Sequence, residues 1–228
     1  MKIRSAFILA AIALVFASCN VTDPYVKTKL NGMWVLAKNN DQRVATESRN
    51  VFTLNDKNKA VLCNKNDNNV WQEQDVKWTF EGATVSVGSV VKGDLLVLND
   101  TMLLLSSDAG SLQYNRVVQK QSPYLGTWEV IDDTNTENIG KVRLIFKEDG
   151  KYEYQTLTDG SWISSGFKNG DWYIYETFLA LNSIESSGTT AELWDISLAT
   201  ISSNKVWLQN ATDASGNIIR TRTLKFIQ

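Results

Sequence analysis

Beyond its first twenty residues the chain alternates apolar and polar positions in short runs. Val76-Lys77-Trp78-Thr79-Phe80 is one such run, and Val142-Arg143-Leu144 leading to Phe146 is another. A period of two places one face of the backbone in a core and the other in solvent, so these runs predict half-buried β-strands. Turn signals separate them. Leu95–Leu98, then Asn99-Asp100, then Thr101–Leu105 reads as a hairpin with a two-residue turn. Asp149-Gly150 marks a turn between Phe146 and Tyr152, and Asp213–Gly216 marks a longer loop. After the N-terminal segment no long stretch combines helical apolar spacing with caps. Strands are predicted to begin near Asn31, Asn50, Lys59, Val70, Thr84, Asp94, Thr101 and Leu112. A second set begins near Gly126, Lys141, Lys151, Asp171, Phe178, Thr190, Asn204 and Asn217.

The two sets repeat each other. Gly32-Met33-Trp34 matches Gly126-Thr127-Trp128 at an offset of 94 residues. The same offset carries Phe52 to Phe146, Lys57 to Lys151, Trp78 to Trp172, Val85 to Leu179 and Val87 to Leu181. Tryptophan is rare, so the two Trp–Trp matches weigh most. The later strands of the second half need an insertion of about a dozen residues, which surface loops tolerate. Only two prolines occur, and Pro123 falls midway between the halves, where a connection suits it better than a sheet interior. The expected fold class is all-β, with two tandem small antiparallel barrels of about eight strands each, since closure removes exposed strand edges. The expected boundaries are 1–18 for a cleaved signal, 19–29 for a polar tether, 30–119 for the first domain, 120–123 for a linker and 124–228 for the second.

The N-terminus is of another kind. Lys2 and Arg4 precede an apolar run from Ala6 to Phe16, followed by Ala17, Ser18 and Cys19. A basic start, a short apolar stretch and small residues describe a secretory signal. The run is shorter than the roughly 20 apolar residues that span a bilayer. Phe16-Ala17-Ser18-Cys19 resembles the bacterial lipobox, with Phe16 in the place of the usual leucine. That resemblance implies cleavage before Cys19, a diacylglyceryl group on its sulfur and a further acyl chain (palmitate) on its amine. Several acyl chains anchor stably where one is marginal. The expected place is the cell envelope, at the outer membrane, since Asn20 rather than aspartate follows the cysteine. With Asp23 the only acidic residue nearby, the periplasmic and surface faces both stay open.

Composition then narrows the chemistry. Without Lys2 and Arg4, 21 basic residues face 25 acidic ones, a net charge of −4, and no basic block stands out; nucleic acid is not an expected partner. The chain has no histidine, which removes the commonest general base and zinc ligand. Cys63, within Ala60-Val61-Leu62-Cys63, reads as a small buried strand residue rather than a nucleophile. Paired carboxylates remain, namely Asp132 with Asp133, Glu148 with Asp149, and Glu176 with Glu185. Neighbours on a strand point to opposite faces, and Glu148-Asp149 sits in a turn, so these read as solvated surface. No catalytic residue, metal site or cofactor is expected.

Gly32-x-Trp34 with a late Arg116, and Gly126-x-Trp128 with a late Arg222, resemble the lipocalin family, and more closely the small lipocalin-like domains of Bacteroidetes lipoproteins. The resemblance covers most of residues 30–118 and 124–228. It implies that each late arginine packs across its tryptophan and closes one end of its barrel, with Arg220 sharing the face of Arg222 as the alternative in the second half. A guanidinium over an indole gains about 0.5–2 kcal/mol. The family likeness further implies non-catalytic binding of a small apolar or glycan ligand at a barrel mouth. The aromatic second half, through Trp162, Trp172, Tyr173 and Trp194, is the expected contact surface. Filled barrels serving a structural or protein-interaction role in the envelope form the other expectation. Placed in series behind the tether, the second barrel would project farther from the membrane.

Overall fold

A computed structural model describes residues 24–118, 122–166, 168–185, 188–197, 204–211 and 217–228. Cys19 and residues 120 and 121 of the expected linker lie outside these residues. The first half opens with a helix, α1 (Pro24–Leu30), followed by β1 (Gly32–Asn39), β2 (Gln42–Arg43), β3 (Asn50–Leu54), β4 (Lys59–Lys65), β5 (Trp71–Glu81), β6 (Thr84–Val87), β7 (Val91–Leu98), β8 (Met102–Ser107) and β9 (Gly110–Val117). β1 pairs antiparallel with β3, each strand from β3 to β9 pairs antiparallel with the next, and β9 returns to β1; β2 is a ribbon on the end of β1, so eight strands close the ring. The second half contains β10 (Gly126–Asp133), β11 (Val142–Phe146), β12 (Lys151–Thr158), β13 (Ser161–Ser164), β14 (Gly170–Ile174), β15 (Phe178–Glu185), β16 (Gly188–Ser197), β17 (Lys205–Ala211) and β18 (Ile218–Phe226). Here β18 closes on β10, and β13 is a side hairpin on β12. The chain is thus two tandem, closed, eight-stranded antiparallel barrels of lipocalin-like meander form.

Local chemistry sets the hairpins. The Asn55 side-chain carbonyl accepts from the amides of Lys57 and Lys59, and Asn58 adopts φ 57°; Asp149 accepts from Lys151 N while Gly150 takes φ 77°. At the β7–β8 turn Asn99 Oδ1 accepts from Thr101 N and Met102 N, which draws Thr101 into the turn. That connection is therefore three residues long rather than the expected two.

The repeat is real, but its offset is not uniform. Trp34 pairs with Phe52, whereas Trp128 pairs with Leu144. Phe52 therefore corresponds to Leu144, and Lys59, not Lys57, to Lys151. The β1–β3 connection, which carries β2, is two residues longer than its counterpart, and the β13 hairpin restores the offset before Trp172. From there Trp78 with Val87 and Trp172 with Leu181 are equivalent pairs. Both first strands also bulge at one place, between Leu36 and Lys38 and between Val130 and Asp132.

The segment expected to be a tether is ordered structure in its second part. Helix α1 lies against the first barrel, with Leu30 fully buried and Lys27 Nζ 5.5 Å from the Trp78 ring. Trp34 Nε1 donates to the Leu30 carbonyl at 2.8 Å. Arg116 lies over Trp34, its Cζ 4.1 Å from the ring, and donates to the carbonyls of Asn31 (2.7 Å) and Lys29 (2.5 Å). Gly32, at φ 127°, lies so close to Arg116 Nη1 that a Cβ would collide with it. Above this floor the first barrel is packed by Phe52, Trp78, Leu103, Leu105 and Tyr114.

The barrels do not follow one another like beads. They pack flank to flank. Val35, Val51, Cys63 and Trp71 face outward from the first barrel and meet Tyr175, Phe178, Ala180, Ala191 and Leu193 of the second. Phe178–Leu181 and Leu193–Ile196 are consequently buried on both faces. Polar bonds lock the contact. Trp71 N donates to Asn182 Oδ1 (2.9 Å), Asn182 Nδ2 returns to the Trp71 carbonyl (2.6 Å), and Trp71 Nε1 donates to Tyr175 Oη (3.1 Å). At another point Arg43, Arg49 and Thr46 all converge on Asp195. This side-by-side packing replaces the serial arrangement in which the second barrel projects beyond the first.

Candidate functional site in the mouth of the second barrel

The inward rows of the second barrel change character halfway along. On β18 the row runs Arg220, Arg222, Leu224, Phe226; on β16 it runs Glu192, Trp194, Ile196; on β17, Asn210, Leu208, Val206; on β15, Ser183, Leu181, Leu179. The lower half is an apolar plug of Trp128, Phe146, Trp172, Leu179, Ile196 and Leu224, whose remaining void of about 10 Å³ has room for no more than a water. The upper half opens into a cleft of about 500 Å³ lined by Tyr152, Tyr154, Ser183, Thr190, Glu192, Asn210, Arg220 and Arg222, with Asn135, Asn138 and Lys168 at its sides. Glu47 and Lys65 of the first barrel complete the wall. A second hollow, of about 410 Å³, lies along residues 36–48 and is bounded by that one hairpin alone, so separate elements do not converge on it.

Two arginines organise the cleft. Arg222 is buried; its Nε meets Asp133 Oδ2 at 2.6 Å and its Nη1 meets Glu192 Oε2 at 3.4 Å. Burial alone would lower its affinity for the proton, but Glu192 and Asp133 outweigh burial and the net direction is upward. Asp133 is held in turn by Asn135 N (2.8 Å) and Asn138 Nδ2 (3.1 Å). Arg220 Nη1 meets the other oxygen of Glu192 at 3.0 Å. Both guanidinium groups lie over Trp194, at 4.5 and 4.9 Å from the ring. Burial pushes the Tyr152 and Tyr154 phenols up, so they are neutral hydroxyl groups, and Lys168 Nζ lies 4.8 Å from the Tyr154 ring. Asn210 Nδ2 donates to Glu47 Oε1 (2.7 Å) and to the Leu193 carbonyl (2.9 Å), whereas buried Asn210 Oδ1 has no partner among the described residues.

Several residues singled out in the sequence lie elsewhere. Trp128 and Arg222, expected to pair, do not meet. Trp128 sits opposite Phe226, edge-on at 5.2 Å, and Gly126 faces Phe226 as Gly32 faces Arg116. Phe226 thus occupies the barrel-closing position, and Arg222 and Arg220 serve the opposite end. Trp172 is part of the apolar plug, its Nε1 donating to the Lys147 carbonyl at 3.1 Å. Tyr173 faces the other barrel. Trp162 lies outside on β13 beneath Arg143, whose Cζ is 3.8 Å from the ring. Of the four, Trp194 is tied to the cleft, fully buried beneath the two arginines that line it. Tyr152, Tyr154, Asn210 and Glu192 were missed, although a polar residue on an otherwise inward-facing row of alternation was a usable signal for Glu192, Asn210 and Arg220. Among the carboxylates, Asp133 is spent on Arg222, and Glu176 Oε2 accepts from Val118 N at 3.2 Å. Among the described residues no cluster of His, Cys, Asp or Glu could hold a metal ion, and no helix is long and apolar enough to cross a membrane. No protein-family model and no curated protein matches this chain.

Proposed function

We propose that this protein is a non-catalytic binding module of the bacterial cell envelope, held to the membrane by lipid on Cys19, and that it takes a saccharide in the mouth of its second barrel. The cleft carries this reading. It is large enough for a small ligand, and phenols, amides, hydroxyls and guanidinium groups converge on it from several strands. Sugars need such donors and acceptors. The apolar alternative loses support because the greasy half of the barrel is plugged by its own side chains. Unpartnered Asn210 Oδ1 adds an acceptor that a ligand hydroxyl can satisfy.

Titration of the mature chain with a panel of oligosaccharides, read by calorimetry, tests the proposal. Binding to at least one, weakened by Tyr154→Ala, is expected; a chain that binds none leaves the structural envelope role as the better reading. Metabolic labelling with palmitate tests the anchor. Label is expected on the native chain and absent from Cys19→Ala, and an unlabelled native chain refutes anchoring.

A further inference from the structure

The charges of the cleft narrow the ligand, on the footing that a saccharide binds there. Lys65 is closed on Glu47 at 2.7 Å. That leaves Arg220, Arg222 and Lys168 against Glu192 and Asp133, one positive charge in excess among the described residues of the cleft.

The two arginines have different tasks. The Arg222 side chain is 7% exposed and gripped by two carboxylates, so it is a fixed part of the wall. The Arg220 side chain is 41% exposed and carries one ion pair among the described residues, through Nη1 alone. Its guanidinium also lies over the Trp194 ring, Cζ 4.5 Å from the centroid, which confines it from one side. A planar fork held in this way is preorganised for bidentate contact with an anionic group. Glu192 can yield Arg220 to an incoming anion, because Arg222 still holds the other oxygen of that carboxylate.

We infer that the saccharide bound in this cleft is negatively charged, and that Arg220 reads its anionic group, a carboxylate or a sulfate, with Lys168 as the second cation. Neutral parts of the sugar then meet Tyr152, Tyr154 and Asn210. The pairing is sensitive to salt, since Arg220 is exposed to solvent.

Calorimetry of the mature chain at low ionic strength tests this with three probes of equal length: a neutral oligosaccharide, its uronic-acid counterpart and a sulfated counterpart. One or both acidic probes are expected to bind at least about tenfold more tightly than the neutral one, as a charge-assisted contact supplies. The stronger acidic probe identifies the group. Arg220→Gln is expected to remove the preference, because it weakens the acidic probes by a larger factor than the neutral one; Lys168→Gln, a surface change that leaves the barrel core untouched, is expected to reduce it. Equal binding of all three probes, or a preference that survives Arg220→Gln in a chain with unchanged near-ultraviolet circular dichroism, overturns the inference while leaving saccharide binding intact. Absence of binding to any probe overturns both.

Discussion

Asp195→Asn is a direct test of whether the two barrels form one folding unit. Asp195 belongs to the second barrel and is 7% exposed, and its three partners all belong to the first. Arg43 is partly exposed and contributes little, within the roughly 0–1 kcal/mol of a surface pair. Arg49 decides the magnitude. Its side chain is 9% exposed and lies 3.0 Å from the carboxylate, with the carbonyls of Leu36 and Ala37 as its other partners. Burial alone already lowers its affinity for the proton, and Asp195 is the charge that opposes this. Removing one partner of a buried ion pair costs about 3–5 kcal/mol, because an uncompensated charge remains. The retained carbonyl contacts and the isosteric amide place this substitution at the low end, near 3 kcal/mol. Urea unfolding followed by tryptophan fluorescence and by far-ultraviolet circular dichroism measures it. A single transition at lower urea concentration is expected in both signals. The double variant Asp195→Leu with Arg49→Leu should recover part of the loss, since no stranded charge is left. A loss under about 1 kcal/mol, or a double variant worse than the sum of its parts, refutes the argument.

Three further outcomes follow from the same contacts. Phe178→Ala empties the centre of the interface, where the ring is fully buried 5.2 Å from Trp71; it should cost about 3–5 kcal/mol and split the unfolding curve into two steps. Gly32→Ala should lower the melting temperature by several degrees, at a cost of roughly 2 kcal/mol, because the added Cβ displaces Arg116 from Trp34 at a backbone angle that favours glycine. Alkaline pH should destabilise the fold. Burial, in the main, pushes the Cys63 thiol up to about 12 from 9.0 and the Tyr124 phenol up to about 12 from 10.0. The unfolded chain therefore loses these protons first. The stabilisation is whole below pH 9 and is lost as pH rises toward 12. Urea midpoints at pH 8, 10 and 11 should fall in sequence, and Cys63→Ala should flatten the fall.

What the sequence determined by itself was local. Alternation and turn chemistry act within a few residues, so the strand starts at Asn50, Lys59, Thr84, Gly126, Lys151 and Phe178 could be read directly. Duplicated Gly-x-Trp motifs marked two barrels for a similar reason: each motif meets its own neighbouring strand. Register was another matter. A period of two is unchanged by any even shift, so Arg222 could be set on Trp128 although the true partner, Phe226, lies four residues on. The same ambiguity matched Phe52 to Phe146 in place of Leu144. Ring closure and the lengths of two loops removed it. Tertiary structure alone decided the rest. Helix α1 exists because Arg116 and Trp34 bind its last carbonyls, and a seven-residue helix needs such outside support. The apolar outer faces of β15 and β16 show their purpose only when the first barrel covers them. The cleft is formed by groups distant in sequence, Asp133, Glu192, Asn210 and Arg222 with Glu47 from the other barrel, and their charges come together only after both rings have closed and packed.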